Sequence, residues 1–439
     1  MAEVAPFKAI VYNTRTVLDM ADVVTPPYDV ISPGEQDAFH TRHPKNIVRL
    51  ILGKPESSDS ETENPHTRAA CFFDEWKNDG TLVTDPAPAF YLTTHEFHHA
   101  GSRVSRLGVL ARVRLEPFDK GIVRPHEKTF SKVKSERLSL FKRCHANFSP
   151  IFTLFPDEGG KIFSMLSGLA AKNAPDLDFT ESVGHRHRMW RITDPAGQAA
   201  FSGALSKSEV FIADGHHRYE TALNYLAWRE EKEGPLPPDH PARFVLMYLC
   251  SMDDPGLVIL PAHRMLTRLS PEALARLDSE VPRYFSIETF PLSGDGRPRA
   301  LAALSATPPE TTGILLLIAG APFAQLLTLK PGVMDSLFSD VLAPSLRRLD
   351  VSVLTHLLFQ EILGLTPADM DDADLLRYTI NADTLASEVI SGRMAAGFVI
   401  NPSRICEVRD VARDGLVMPR KSTYFYPKVV TGLVMNSLL

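Results

Sequence analysis

The chain is expected to fold as an α/β protein of the α+β kind, and three stretches carry that expectation. In residues 208–228 an apolar β-branched run, Val210-Phe211-Ile212-Ala213, meets the turn signal Asp214-Gly215. Apolar residues then recur at Tyr219, Ala222, Leu223 and Leu226, one face of a helix. Residues 89–115 alternate on both sides of Ala100-Gly101-Ser102 and predict a β-hairpin. Beyond Ser270 the pattern changes to helices and strands with ordinary loops, at 271–277, 313–318, 323–329 and 351–363, which predicts a second lobe.

The strand, turn and helix at 208–228 hold the densest chemistry. A helix starting straight after a turn points unpaired N–H groups and the positive end of its dipole at whatever precedes it, which makes an anion site. The turn adds His216, His217 and Arg218 as positive or switchable charge, and Asp214 as an acid able to hold a metal ion or a proton. Gly215 removes a side chain where backbone must approach a ligand. The bland alternative is a strand-to-helix turn with solvated polar residues.

Length and composition set the frame. With 439 residues the chain is expected to form two or three lobes. A hydrophobic share of 44% with 23% charged residues is that of a soluble globular protein. A net charge of -6 argues against binding nucleic acid by bulk phosphate neutralisation. Cys71, Cys144, Cys250 and Cys406 stand far apart without a CxxC pair, so neither a zinc ribbon nor a disulfide framework is indicated, and a reducing cytoplasm is expected. The start of the chain shows no secretory signal, and no apolar run is long enough to span a bilayer.

Taken in order, Phe7-Lys8-Ala9-Ile10-Val11 reads as an opening strand. Pro26 and Pro27 then hold Tyr28 and Asp29 in an extended segment, either a pocket wall or a structural loop. Ser32-Pro33-Gly34-Glu35 has the form of a capping box opening a helix towards His40, and 68–77 predicts another helix, closed by Asn78-Asp79-Gly80. Inside the hairpin, His95-Glu96-Phe97-His98-His99 matches HExxH letter for letter. That zinc chemistry needs a helix, and these flanks predict strand, so a polar hairpin end is expected.

Val123 to Thr129 places His126, Glu127 and Lys128 side by side after Pro125. A buried Glu beside a phosphate pocket could take the proton of an attacking hydroxyl; a solvated turn is the alternative. A basic amphipathic helix is predicted from Ser131 to Lys142, with a strand at Ile151–Phe155. Cys144 and His145 are adjacent on paper, but neighbours along a helix do not face each other. Residues 156–207 read as helix, loop and a strand around Arg188 to Ile192, with His185 and His187 as surface histidines. Strands are expected at 244–250 and 257–260, followed by His263 and Arg264 at a position where strands deliver pocket residues. The tail brings Arg420, Lys421, Ser422, Thr423, Tyr424 and Lys428 together, a segment able to bind phosphate and stack a flat ring, or an exposed basic tail.

These blocks in this order, Pro26-Pro27-Tyr28-Asp29, Pro125-His126-Glu127-Lys128-Thr129, Ala146-Asn147-Phe148-Ser149-Pro150, Asp214-Gly215-His216-His217-Arg218, Asp254 to Arg264 and Met418 to Lys428, closely resemble the DUF1015 family over nearly the whole chain. The Asp-Gly-His-His-Arg turn is also similar, more distantly, to that of the ParB and sulfiredoxin superfamily, whose free-serine kinases carry a Pro-His-Glu before a DGHxR turn. The resemblance implies a ParB/sulfiredoxin-like mixed-sheet core with a second α/β lobe. It implies Glu127 as general base, and Asp214 and His217 as catalytic groups beside the phosphoryl group and Mg²⁺, with Asp214 a ligand of the ion. His126, Lys128, Gly215, His216, Arg218, Arg264, Lys421, Ser422, Thr423 and Lys428 would hold phosphate or nucleotide, and Tyr28, Asp29 and Tyr424 the substrate. The 86 residues between Glu127 and Asp214 exceed the compact kinases, which calls for an insertion around 150–205.

The expectation is a cytoplasmic kinase carrying a phosphoryl group from ATP, ADP or pyrophosphate to the hydroxyl of free L-serine or a similar small molecule, with Mg²⁺. Residues 1–265 would form the catalytic region and 266–439 a C-terminal lobe whose tail, 417–428, returns to the site. No P-loop and no GxGxxG is present. The rivals are a phosphatase or nucleotide hydrolase using the same pocket, and a nucleotide-binding switch without turnover. Neither a nucleic-acid nor a membrane partner is expected.

Overall fold

The structure, a computed structural model, describes residues 2–127, 131–206 and 208–439, without the side chains of 131–135. The chain divides into two compact units. The first comprises Met1–Pro125, Thr129–Val258 and Pro427–Leu439; the second comprises His126–Lys128 and Ile259–Tyr426.

The first unit is built on a mixed sheet of nine strands among the described residues: β1 (Val4–Ala5), β2 (Phe90–His99), β3 (Ser102–Arg114), β4 (Val123–Arg124), β5 (Ile151–Phe155), β6 (Leu177–Thr180), β7 (Arg186–Ile192), β8 (Val210–Asp214) and β9 (Phe244–Ser251). Their spatial order is β4-β8-β5-β9-β3-β2-β7-β6, with β1 beside β3. The β4–β8 and β5–β9 pairs are parallel and the others antiparallel, so the sheet is mixed, as expected from the sequence. The hairpin forms between β2 and β3. Its turn residues Ala100 and Gly101 both have positive φ, 49° and 77°, the backbone a two-residue hairpin loop requires.

Alternation along the strands sends Phe90 and Leu92, Val109, Ala111 and Val113, and Val245, Met247 and Leu249 into one core. The helix α1 (Ser131–Cys144) and the helix α2 (His216–Glu233) flank the sheet, and α2 contributes Tyr219, Ala222 and Tyr225 to the same core. Tyr219 also clamps the start of α2: its hydroxyl accepts from the Glu116 amide at 2.9 Å and donates to the Glu116 carbonyl at 2.7 Å.

Several local expectations hold. Ser32 and Glu35 form a reciprocal capping box at the start of a helix over Pro33–Arg42. The helix expected at 68–77 spans Pro65–Asn78, because Asn64 caps it three residues earlier. Others are corrected. Tyr28 and Asp29 lie in a single 3₁₀ turn, Tyr28–Val30, rather than an extended segment. Pro27 itself is extended, and a proline restricts the residue before it, not those after. Residues 156–207 hold more structure than the sequence suggests, with helices at Lys161–Lys172 and Pro195–Leu205 and the additional strand β6.

The second unit carries a six-stranded antiparallel sheet. Its strands are β10 (His263–Leu266), β11 (Phe285–Pro291), β12 (Gly313–Ile318), β13 (Phe323–Leu329), β14 (Leu376–Thr379) and β15 (Ala396–Ile400), in the order β11-β13-β12-β15-β10-β14. Each face packs a separate apolar core, one around Leu357, Phe359 and Phe398 and the other around Leu315, Leu385 and Val399. The helix expected at 351–363 is present, and residues Val353–Ile362 are wound as π-helix. Among the described residues no helix is long and apolar enough to cross a membrane.

Candidate functional site

The strand, turn and helix form as the sequence predicts. β8 ends at Asp214, Gly215 turns the chain with φ 95°, and α2 begins at His216. Gly215, at the N-cap, has no side chain with which to cap this start. Arg218, one turn into α2 and 5% exposed, folds back over the turn. Its Nη2 pairs with Asp214 Oδ2, and its Nη1 donates to the Pro150 carbonyl. A Cβ at position 215 would lie 2.8 Å from Arg218 Nε, so the glycine is required twice, for its φ and for the guanidinium above it. Lys428 Nζ pairs with Asp214 Oδ1. Burial alone would make the Asp214 carboxyl hold its proton; Lys428 and Arg218 overcome this and keep it well below the usual carboxylate range.

One carboxylate between two cations thus stands next to a helix start whose N-cap residue, Gly215, has no side chain. The same arrangement bears on the expected Mg²⁺. Both Asp214 oxygens already hold a cation, and Asp29 is a second carboxylate whose charge reaches Arg218, so an ion bound at Asp214 would displace Arg218 or Lys428 from it. His216 is buried, and His217 follows it in the first turn of α2.

Tyr28 and Asp29 belong to the same neighbourhood, because the charges of both are felt by Arg218. The guanidinium of Arg137 lies over the Tyr28 ring, 3.9 Å from its centroid, while donating to the Ile51 carbonyl at 2.6 Å. Burial, then the neighbouring Asp29 charge, pushes the Tyr28 phenol above its ordinary range. In sequence Arg137 is only a basic position of an amphipathic helix; its role as a buried cover for Tyr28 depends on contacts remote along the chain.

The remaining predicted residues lie in the second unit. His126 is fully buried, with Nε2 2.9 Å from Thr423 Oγ1 and its carbonyl accepting from the Met418 amide at 2.8 Å. This contact joins the Pro-His-Glu block to the tail. Glu127 is half-buried, and Lys128 falls outside the described residues. Arg264, 2% exposed, donates through Nη1 to the Ala262 carbonyl and through Nη2 to the Arg420 and Lys421 carbonyls, at 3.3 and 3.1 Å. Burial pulls it down to about 10. Ser422 is buried with its hydroxyl on the Pro419 carbonyl, Lys421 is exposed with φ 54°, and Tyr424 is half-buried. A cavity of about 450 Å³ in this unit is lined by Arg264, Arg420, Tyr378, His356, Phe359 and Met418. Tyr378 and His356 carry no signal in the sequence.

The family model described as a protein of unknown function, DUF1015, matches residues 4–352. The chain belongs to the DUF1015 family. No curated protein matches it. Solved structures similar to this DUF1015 chain include a conserved hypothetical protein from Pyrococcus furiosus, at 12% identity and TM-score 0.34, covering 75% of this chain and 95% of that one. A free serine kinase in complex with AMP is 13% identical with TM-score 0.32, covering 74% and 92%. SbnI with a C-terminal truncation, from Staphylococcus aureus, is 9% identical with TM-score 0.37, covering 74% and 87%.

Two other motifs of this DUF1015 chain resolve differently from their appearance in sequence. Cys144 is buried, and burial pushes its thiol up to about 12, while His145 bonds through Nδ1 to the Tyr225 hydroxyl at 2.6 Å, so the two form no nucleophile pair. The HExxH letters lie on β2 as expected, and Glu96 is paired with Arg103 and Arg188. The expected polar hairpin end holds for the exposed His98 and half-buried His99, whereas His95 and Glu96 are buried. The reading of His187 as a surface residue is corrected: its ring is 3% exposed and stacks on Phe179. Strand alternation cannot reveal exposure where both faces of the sheet are covered.

Proposed function

We propose that this chain binds a nucleotide phosphate at the Asp214–Arg218 corner and transfers a phosphoryl group to the hydroxyl of a small metabolite, free L-serine being the first candidate. One observation carries the reading: a helix start whose N-cap residue, Gly215, has no side chain stands beside a carboxylate that holds two cations. Such a corner attracts an anion through backbone N–H groups, the helix dipole and the two cations. An arriving phosphate competes with Asp214 for Arg218 and Lys428, so the carboxylate orients both cations for the ligand. Tyr28, already stacked on Arg137, offers a ring edge to a nucleoside or metabolite.

Glu127 is assigned the proton-accepting role from its Pro125-His126-Glu127 motif. Its carboxylate takes the hydroxyl proton, the new O–P bond forms, and the bridging P–O bond of the donor breaks to leave a donor one phosphate shorter. The ParB-like character of the core and the serine specificity rest on the same sequence resemblance.

The test is calorimetric titration of the full chain with ATP, ADP and pyrophosphate, followed by phosphorus NMR with serine added. Arg218→Lys and Lys428→Met are expected to weaken binding about tenfold or more, equivalent to about 1.4 kcal/mol. Glu127→Gln is expected to bind within about threefold of wild type while phosphoserine formation drops by a factor on the order of 10²–10⁴. Phosphate release without phosphoserine would instead identify a hydrolase, and binding without turnover a switch. Absence of binding to all three ligands would end the proposal.

A further inference from the structure

The first unit contains a second cluster of titratable side chains, unrelated to the Asp214 corner. β2 and β7 run antiparallel with His95 opposite His187, which puts both rings on one face, their centroids 4.1 Å apart. The connection from β6 to β7 is a tight loop turned at Gly184, φ 84°, and closed by Glu181 N–H donating to the His185 carbonyl at 2.8 Å. That loop carries Glu181 and His185 back onto the same face. His95 Nε2 lies 3.2 Å from His185 Nδ1, and His187 Nε2 lies 2.5 Å from Glu181 Oε1. One donor atom each from His95, Glu181 and His185 falls within 4.8 Å of the others.

We infer that His95, Glu181 and His185 bind one divalent transition-metal ion, with Zn²⁺ the best match, and that His187 is a positioning residue holding the Glu181 carboxylate. Two imidazoles and a carboxylate are a borderline donor set suited to zinc, and three protein ligands leave a fourth position for water. Tetrahedral Zn²⁺ with bonds of about 2.1 Å spaces its ligand atoms by about 3.4 Å, so small side-chain rotations close the observed group on an ion. Ligating carboxylates are held in turn by hydrogen bonds from outside the metal shell, the place His187 takes beside Glu181. The aromatic ring of Phe97 packs against His95, and that of Phe179 against His187, giving the group apolar walls.

The site is not that of an HExxH protease. Glu96 points to the opposite face of β2, where Arg103 and Arg188 hold it, and His99 is not among the three ligands. It also differs from the phosphate corner, because β8 and β2 are four strand spacings apart in the sheet, on the order of 19 Å. Arg106, opposite His95 on β3, is the cation whose charge reaches it, and its guanidinium is engaged by the Pro427 carbonyl at 2.7 Å and by the rings of Phe152 and Tyr248.

The experiment uses the full chain, stripped with a chelator and titrated with Zn²⁺ against a chromophoric competitor. Co²⁺ absorption then reports the coordination geometry. One ion per chain is expected, with a tetrahedral Co²⁺ spectrum. His185→Ala and Glu181→Gln should each lose at least tenfold in affinity, and His187→Gln about tenfold through the freed carboxylate. His98→Ala, exposed on the other face, should match wild type. Circular dichroism confirms that the half-buried His185 and Glu181 variants fold. Substoichiometric binding, an octahedral Co²⁺ spectrum, or a folded His185→Ala variant with wild-type affinity would each overturn the assignment.

Discussion

Asp214 in the first unit and Asp350 in the second are both carboxylates largely withdrawn from water, yet their acidities shift in opposite directions. Lys428 and Arg218 hold Asp214 ionised against its burial. Asp350, at the head of the short helix Asp350–Ser352, is pushed up to about 7 by burial; the Thr312 hydroxyl lowers it, Glu407 raises it, and Arg404 is the cation whose charge reaches it. Burial therefore does not decide the charge of a side chain; the partners carried in with it do. A doubly paired acid stays ionised against its burial, whereas a poorly paired acid keeps its proton to higher pH.

The largest effect is expected from breaking the first arrangement. Asp214→Asn leaves two cations without their counter-charge and should cost about 3–5 kcal/mol in denaturant unfolding. The folded-state value of Asp214 is depressed, so its contribution is complete above about pH 4, the unfolded value, and fades as pH falls further. The gap between wild type and Asp214→Asn should close over that acid range.

Asp350 should behave in the reverse sense. Its folded-state value is raised, so its contribution is complete below about pH 4 and is lost as pH rises through about 7. Asp350→Asn should therefore gain about 1–3 kcal/mol at pH 8 and nothing near pH 4, measured by urea unfolding at both pH values. Equal effects at the two pH values would remove the contrast with Asp214. A smaller change is expected from Gly215→Ala, which sets a methyl against Arg218 at an unfavourable φ and should cost about 1–2 kcal/mol in thermal unfolding. If that variant also binds nucleotide less tightly than wild type, the guanidinium placement matters to the ligand as well as to the fold.

The site is legible in sequence where its chemistry is local. Asp214 to Arg218 can be placed on a strand-to-helix turn because five consecutive residues stand between an apolar run and a helical repeat. The hairpin at β2 and β3 is legible for the same reason. Features that depend on distant partners are not. Lys428 reads as a phosphate contact, but nothing near it in the chain indicates Asp214 as its partner. The burial of His187 depends on Phe179 of β6, a strand whose four residues, Leu177-Asp178-Phe179-Thr180, are too few to give a period. The 3₁₀ turn at Tyr28 is hidden because two prolines suggest extension in the residues after them, whereas their restriction acts backwards along the chain.

The Lys428–Asp214 pair joins positions 214 residues apart. Contacts of such separation form late, after the long intervening loop has closed. Until then Asp214 has Arg218, one helical turn away, but lacks its second cation. The two-cation arrangement is thus a property of the finished fold, and a nucleotide held there, as proposed, would act as a fastener that opposes the opening of both segments at once.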